Sequence, residues 1–355
     1  MPEAAVPEAA VPKATVPKAT VPEATVPKAT VPDLTAARPE APPAVPDLTA
    51  ARSNPKLANV LYHDWEADSY DAKWSISFDE RCRTYARDRF ELAAGAAGWP
   101  YGRALELGCG TGFFLLNLKQ AGVLDEGHVT DISPGMVAAA QRNAKELGFS
   151  VEGRVADAES IPYDDDTFDL VVGHAVLHHI PDVELALREV LRVLKPGGRF
   201  VFAGEPTRHG DVVARRLSRA TWEVATRATR LPGLRGWGRP ADELRAASEA
   251  GGLEWMVDLH TFDPGGLARM ALRAGAVDVS VRTEELMAAL FGWPARTFEY
   301  AVNPQRLGPR WFWFSYRTWQ RLAWFDAKAL SPVVPAGLFY NALLTGLKPA
   351  GPVEL

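Results

Sequence analysis

The stretch "LELGCGTGFF", residues 105–114, decides the fold. Its apolar side chains run directly into Gly108, Gly110 and Gly112, and a helical pattern begins at once in "GFFLLNLKQAG". A strand that turns through glycines into a helix brings bare backbone and unpaired helix N–H groups to one point, where a ligand can approach closely. The pattern repeats outward from this junction. "GHVTDI" reads as a second strand, Ser133 as a helix cap followed by Pro134, "VEGRVA" as a third strand and "FDLVVG" as a fourth. Asp182 caps a helix with Val183, Leu187, Val190, Leu191 and Leu194 on one face, and "KPGG" ends it before the fifth strand, "RFVFAG". Strands alternating with helices predict an α/β, doubly wound parallel sheet whose ligand site lies beyond the carboxyl ends of the strands.

The glycine spacing narrows the ligand. A dinucleotide fingerprint requires G-x-G-x-x-G, but the residue three beyond Gly110 is Phe113. The acid–G-x-G-x-G order of Glu106, Gly108, Gly110 and Gly112 instead resembles the first motif of the class I S-adenosylmethionine-dependent methyltransferases. Further motifs follow in order: Asp131 at the end of the second strand, Asp157 with Ala158 after the third, "VVGHAVLHHI" at the fourth, and "LREVLRVLKPGGRFVF". The resemblance, to the type 11 methyltransferases in particular, covers roughly residues 60–205. It implies S-adenosylmethionine as cofactor, a Rossmann-like sheet, and cofactor contacts at Tyr70, Glu106, Gly108, Cys109, Gly110, Thr111, Gly112, Asp131, Ile132, Met136, Asp157, Ala158 and His174. Within that set Asp131 would meet the ribose hydroxyls, Met136 the adenine, Asp157 and Ala158 the adenine amino group, and His174 the methionine part. The flank "HDWEADSYDAKWSISFDERC" and the closing "FYNALLTGLKP" are similar to actinobacterial methyltransferases associated with polymethylated polysaccharides.

Methyl transfer needs alignment rather than a metal, and a hydroxyl acceptor also needs a base. His178 or His179, at the mouth of the fourth strand, is the expected base, with ordering of the loop before Pro181 as the alternative. The Tyr- and Trp-rich flank of residues 53–98 is expected to form a helical lid with Tyr70 over the cofactor, or simply to pack on the sheet. The cofactor-binding core is set at 99–206, and a helical insertion at 207–262 follows it. Eight arginines against Asp211 and Glu223 within 207–240 suggest a basic acceptor lid for anionic or polyhydroxylated substrates, or else a solvated face. Core completion is assigned to 263–303, with "RTFEYAV" as an antiparallel seventh strand, and an aromatic C-terminal segment to 304–355. In "RWFWFSYRTWQRLAWFDAK" a helix would align Arg310, Arg317, Arg321 and Lys328 on one stripe. Internal packing of its aromatics is the expectation, and a membrane interface the alternative.

Proline every fifth residue through 6–35 and the repeated "PDLTAAR" mark residues 1–52 as a disordered tail. A net charge of −5 argues against nucleic acid as partner, and two cysteines exclude a disulfide framework or a cysteine zinc site. With no bilayer-spanning apolar run, a cytoplasmic enzyme is expected, methylating a small molecule or glycan at oxygen. A noncatalytic S-adenosylmethionine-binding protein and, less favoured, a nicotinamide-dependent oxidoreductase are the alternatives.

Overall fold

A computed structural model describes residues 51, 53–96 and 98–351. Apart from Ala51, the repeat tail of residues 1–52 lies outside them. Seven strands make one sheet: β1 (Tyr101–Leu107), β2 (Leu124–Asp131), β3 (Val151–Val155), β4 (Phe168–His174), β5 (Leu194–Pro206), β6 (Val277–Glu284) and β7 (Asn341–Leu347). Their order is β3-β2-β1-β4-β5-β7-β6, parallel except for β7, which runs antiparallel to both its neighbours. The order reverses between β1 and β4, so the glycine turn after Leu107 opens at the switch point.

Side-chain alternation along β5 explains the two-sided core. Phe200 and Phe202 point into one layer with Val183, Leu187 and Val190, while Val201 and Ala203 point into the other with Phe114, Leu115 and Phe90. The helices that cover the sheet include α3 (Glu80–Ala94), α4 (Phe113–Gln120) and α5 (Pro134–Glu146) on the second layer's side, and α6 (Val183–Val193) and α9 (Pro264–Ala274) on the first. The caps read from sequence form: Ser133 accepts from the Met136 N–H, and Asp182 accepts from that of Leu185.

Ahead of the sheet stand α1 (Pro55–Glu66) and α2 (Tyr70–Trp74). Between β5 and α9 stand α7 (Arg208–Ala228) and α8 (Ala241–Val257). After β6 come α10 (Met287–Ala301) and α11 (Pro309–Phe325).

The seventh strand is not where the sequence suggested. "RTFEYAV" alternates as a strand would, yet it ends α10, whose Ala288, Ala295 and Ala301 are buried at helical spacing. The central position between β5 and β6 goes to "NALLTGL", whose first six residues are all buried. A strand buried on both faces shows no alternation, which hid it from a search for period two. Asp326, just past α11, is almost completely buried. It accepts from the N–H groups of Leu286, Met287 and Ala288, capping α10 and fixing how α11 lies against it.

Candidate active site

Three glycines build the floor of the site, each for its own reason. Gly108, Gly110 and Gly112 have φ of 59°, 50° and 87°, the left-handed region that glycine enters without strain. A Cβ on Gly108 would lie 2.1 Å from Val176 Cγ2, whereas one on Gly110 would meet only the Tyr70 ring, at 3.8 Å. Gly108 therefore serves packing, and Gly110 keeps an open approach beneath Tyr70.

Asp131 closes one side of this loop. Its Oδ2 accepts from the Gly110 N–H at 2.9 Å and its Oδ1 from the Ser133 N–H at 2.9 Å. Burial lifts its pKa to about 6 against these two bonds. Glu106 sits deeper, 1% exposed, and accepts from the Leu115 N–H of α4. Burial pushes its carboxyl to about 8, so it anchors the helix rather than facing the open loop. Cys109 is buried too, and burial raises its thiol pKa. Met136 is fully buried, while Ile132 and Ala158 are half-buried at the loop edges.

The N-terminal helices clasp this floor at three points. Asp64 of α1 accepts from Gly135 N–H and from the Ser133 hydroxyl. Asp71 of α2 accepts from the Thr111 hydroxyl at 2.5 Å. Lys56 bridges Asp157 and Glu159, at 2.6 and 2.5 Å. Sequence reading followed the aromatics of this flank and missed its charges, which do the joining.

On the other side, His174 ends β4 among Phe113, Phe114 and Tyr85, whose hydroxyl stands 3.4 Å from its Nε2. Burial lowers its pKa to about 4, so the ring is neutral. His178 and His179 follow on a short 3-10 turn with ring centroids 4.0 Å apart, and their surroundings differ. His178 Nδ1 is 2.9 Å from Glu205 Oε2. That fully buried carboxylate also accepts from the N–H groups of Val176, Leu177 and His178. Burial disfavours the charged ring, but the Glu205 bond and the nearby carboxylates of Asp258 and Asp211 outweigh it and hold the His178 pKa above its usual value. His179 Nδ1 is held by the Val257 carbonyl at 3.0 Å, and burial with the neighbouring histidines drives its pKa well down. Glu205 was missed in sequence, although an acid at the carboxyl end of an apolar strand is where a ligand site is expected.

Asp258, at the end of α8, completes this corner. Its Oδ1 lies 3.8 Å from His178 Nε2 and its Oδ2 3.3 Å from Arg215. Ligand atoms of His178, His179 and Asp258 lie within 4.8 Å of one another, close enough to share a cation. The His179 nitrogen nearer Asp258, at 3.7 Å, is the one already bonded to Val257, so each member of the trio is held by a partner outside it: Glu205, Val257 and Arg215.

Of the two readings of the insertion's arginines, the solvated face holds for six of the eight. Arg208, Arg216, Arg219, Arg227, Arg230 and Arg235 are exposed, Arg239 bonds the Val302 and Glu299 carbonyls, and Arg215 is tied to Asp211 and Asp258. The insertion turns Asp258 and Glu254 toward the site, and Glu254 pairs with Lys73 of α2 at 3.2 Å. Amphipathicity explains the outcome: in α7 the buried stripe is Gly210, Asp211, Ala214 and Ala225, and Arg208, Arg216, Arg219 and Arg227 point to solvent.

Residues 105–202 match the family model described as a methyltransferase domain. The matched segment, from β1 into β5 and including the glycine loop, is thus similar to a methyltransferase domain. It is 39% identical over 101 residues to the demethylmenaquinone methyltransferase of Bacillus subtilis (strain 168), covering 28% of this chain and 43% of that one. It is 31% identical over 137 residues to the enzyme of the same name from Bacillus cytotoxicus, covering 38% and 56%. The chain thus spans about half the length of the curated relatives it matches. Among solved structures, phosphoethanolamine N-methyltransferase 2 of Haemonchus contortus superposes with a TM-score of 0.50 at 15% identity, covering 83% of this chain and 59% of that one, a likeness of fold.

Proposed function

We propose that the protein transfers a methyl group from S-adenosylmethionine to a hydroxyl oxygen of a small molecule or glycan, with His178 as the base. The observation that carries this reading is the His178–Glu205 pair, 2.9 Å apart, beside the glycine loop of the methyltransferase domain. The cosubstrate supplies an electrophilic methyl on a sulfonium. Glu205 on Nδ1 fixes the ring and leaves Nε2 free to accept the acceptor's proton, and the carboxylate then stabilises the resulting imidazolium. His179 is less suited, because its pKa is depressed and its Nδ1 meets only the neutral Val257 carbonyl, which stabilises an imidazolium less than a carboxylate does.

The site's charge bears on the acceptor. Glu205, Asp258, Asp211, Glu254 and Glu66 outnumber Arg215 and Lys73. Carboxylates accept hydrogen bonds from hydroxyls and repel anions, which favours a neutral polyhydroxylated acceptor. Tyr70 and the clasps from α1 and α2 suit a lid, and the cosubstrate is assigned to the space between Tyr70, Gly110, Asp131 and His174. A peripheral membrane contact through residues 310–328 belongs to the same reading. The test is mass spectrometry of cell extracts incubated with the protein and methyl-labelled S-adenosylmethionine. A species gaining one labelled methyl on oxygen supports the proposal, and label found only on nitrogen or carbon overturns it.

A further inference from the structure

We propose that the outer face of α11 docks on the surface of an anionic lipid bilayer and holds the active-site mouth against it. The inference rests on the methyltransferase reading only for its purpose; the docking itself requires no turnover.

Along α11 and the turn that follows, the residues at successive spacings of four and three are Arg310, Phe314, Arg317, Arg321, Trp324 and Lys328. At about 100° per residue they share one stripe. Every one is exposed, Phe314 by 54% and Trp324 by 66%, and Phe325 at its edge by 43%. The following turn adds Val333, 75% exposed. Large aromatic side chains left in water on a regular helix call for a partner. The charges say which kind. Four cations lie on the stripe with no exposed acid among them, and among the described residues Arg310, Arg321 and Lys328 enter no ion pair, while Arg317 leans over the Trp313 ring at 5.5 Å. Aromatics flanked by unpaired basic groups on one face match the boundary between anionic headgroups and acyl chains.

The opposite face of the helix is spent on the protein. Trp311 donates to Glu299 at 2.7 Å, and Phe312 and Tyr316 receive the Arg81 guanidinium at 5.4 and 5.7 Å. Trp319 packs on Tyr85 at 6.3 Å, and the Tyr85 hydroxyl reaches His174. With Asp326 capping α10, the helix is fixed so that the basic stripe faces out. The helix that would lie on the membrane therefore also roofs the residues beside the expected methyl donor. An acceptor anchored in the bilayer by an acyl or prenyl chain, presenting a hydroxylated headgroup, is the substrate class this arrangement fits. No helix among the described residues is long and apolar enough to cross the membrane, so the contact is peripheral.

The experiment is co-sedimentation of the full chain with vesicles of phosphatidylcholine alone and with added phosphatidylglycerol, at low and high salt. S-adenosylmethionine affinity is measured on the same preparations. Binding is expected only with the anionic lipid and should weaken with salt. Arg317→Glu with Arg321→Glu should lower it by on the order of 100-fold, and Trp324→Ser with Phe325→Ser should weaken it too, all with cosubstrate affinity unchanged. Absence of binding to anionic vesicles at low salt, or binding indifferent to these substitutions, overturns the proposal. So does a shift from dimer to monomer in the same variants without lipid, which would mark the stripe as a contact between two copies.

Discussion

At the scale of the single residue, the site depends on which histidine can take a proton and which glycine must stay bare. If His178 is the base, its unprotonated form is the active one, so kcat should rise with pH through a midpoint above the ordinary histidine value and level off. Glu205→Gln removes the carboxylate that favours the imidazolium. The midpoint should then move to lower pH and the plateau fall by about 100-fold or more, while His179→Gln moves neither midpoint nor plateau as far. Steady-state pH profiles of the three proteins check this. Asp131 titrates differently, since burial places its pKa at about 6. Cosubstrate affinity should therefore weaken as pH falls through about 6, because the protonated acid loses acceptor capacity, and this is read by calorimetry at constant ionic strength. The glycines separate packing from binding. Gly108→Ala drives a methyl into Val176 and should cost about 3 kcal/mol of stability. Gly110→Ala costs only the left-handed backbone, about 1–2 kcal/mol, and should keep the fold while lowering cosubstrate affinity about tenfold. Melting curves and titrations on the two variants distinguish the effects.

Among the elements, β1–β5 and their helices were legible because each obeys its own period and carries its own cap or glycine stop. Ser133 and Asp182 are clear instances. What could not be read was decided by distance along the chain. The Glu205–His178 pair spans 27 residues and the Asp64 clasp on Gly135 spans 71, and no local pattern announces either. β7 was hidden by its complete burial, and the inner face of α7 by the arginines around it. Arg89 of α3 shows the same long reach, bonding Glu284 at 2.9 Å and Glu285 at 3.1 Å at the end of β6. The guanidinium is 11% exposed, so removing it strands two carboxylates in a poorly hydrated place. Arg89→Met should cost about 3 kcal/mol, read as a lower urea midpoint at neutral pH, and should loosen the Tyr85 contact with His174.

Across the whole molecule, a sheet with its switch point at the glycine loop carries an N-terminal clasp that itself meets α8, Lys73 pairing with Glu254 and Tyr62 packing with Val257. Residues 1–48 contain no aromatic side chain and a proline at almost every fifth position. Deleting them should leave the melting temperature and cosubstrate affinity unchanged. A deletion reaching past Ala51 removes a fully buried contact of Tyr62 and Val257 and should lower the melting temperature. The clasp, the loop and the histidine corner have a shared purpose only if a sulfonium nucleoside lies between them. Calorimetric titration of the folded chain with S-adenosylmethionine and its demethylated product tests this most directly. One-to-one binding of both is expected, with no binding of nicotinamide dinucleotides and a weakening of about 10- to 100-fold in Asp131→Ala; a folded chain that binds neither ligand would contradict it.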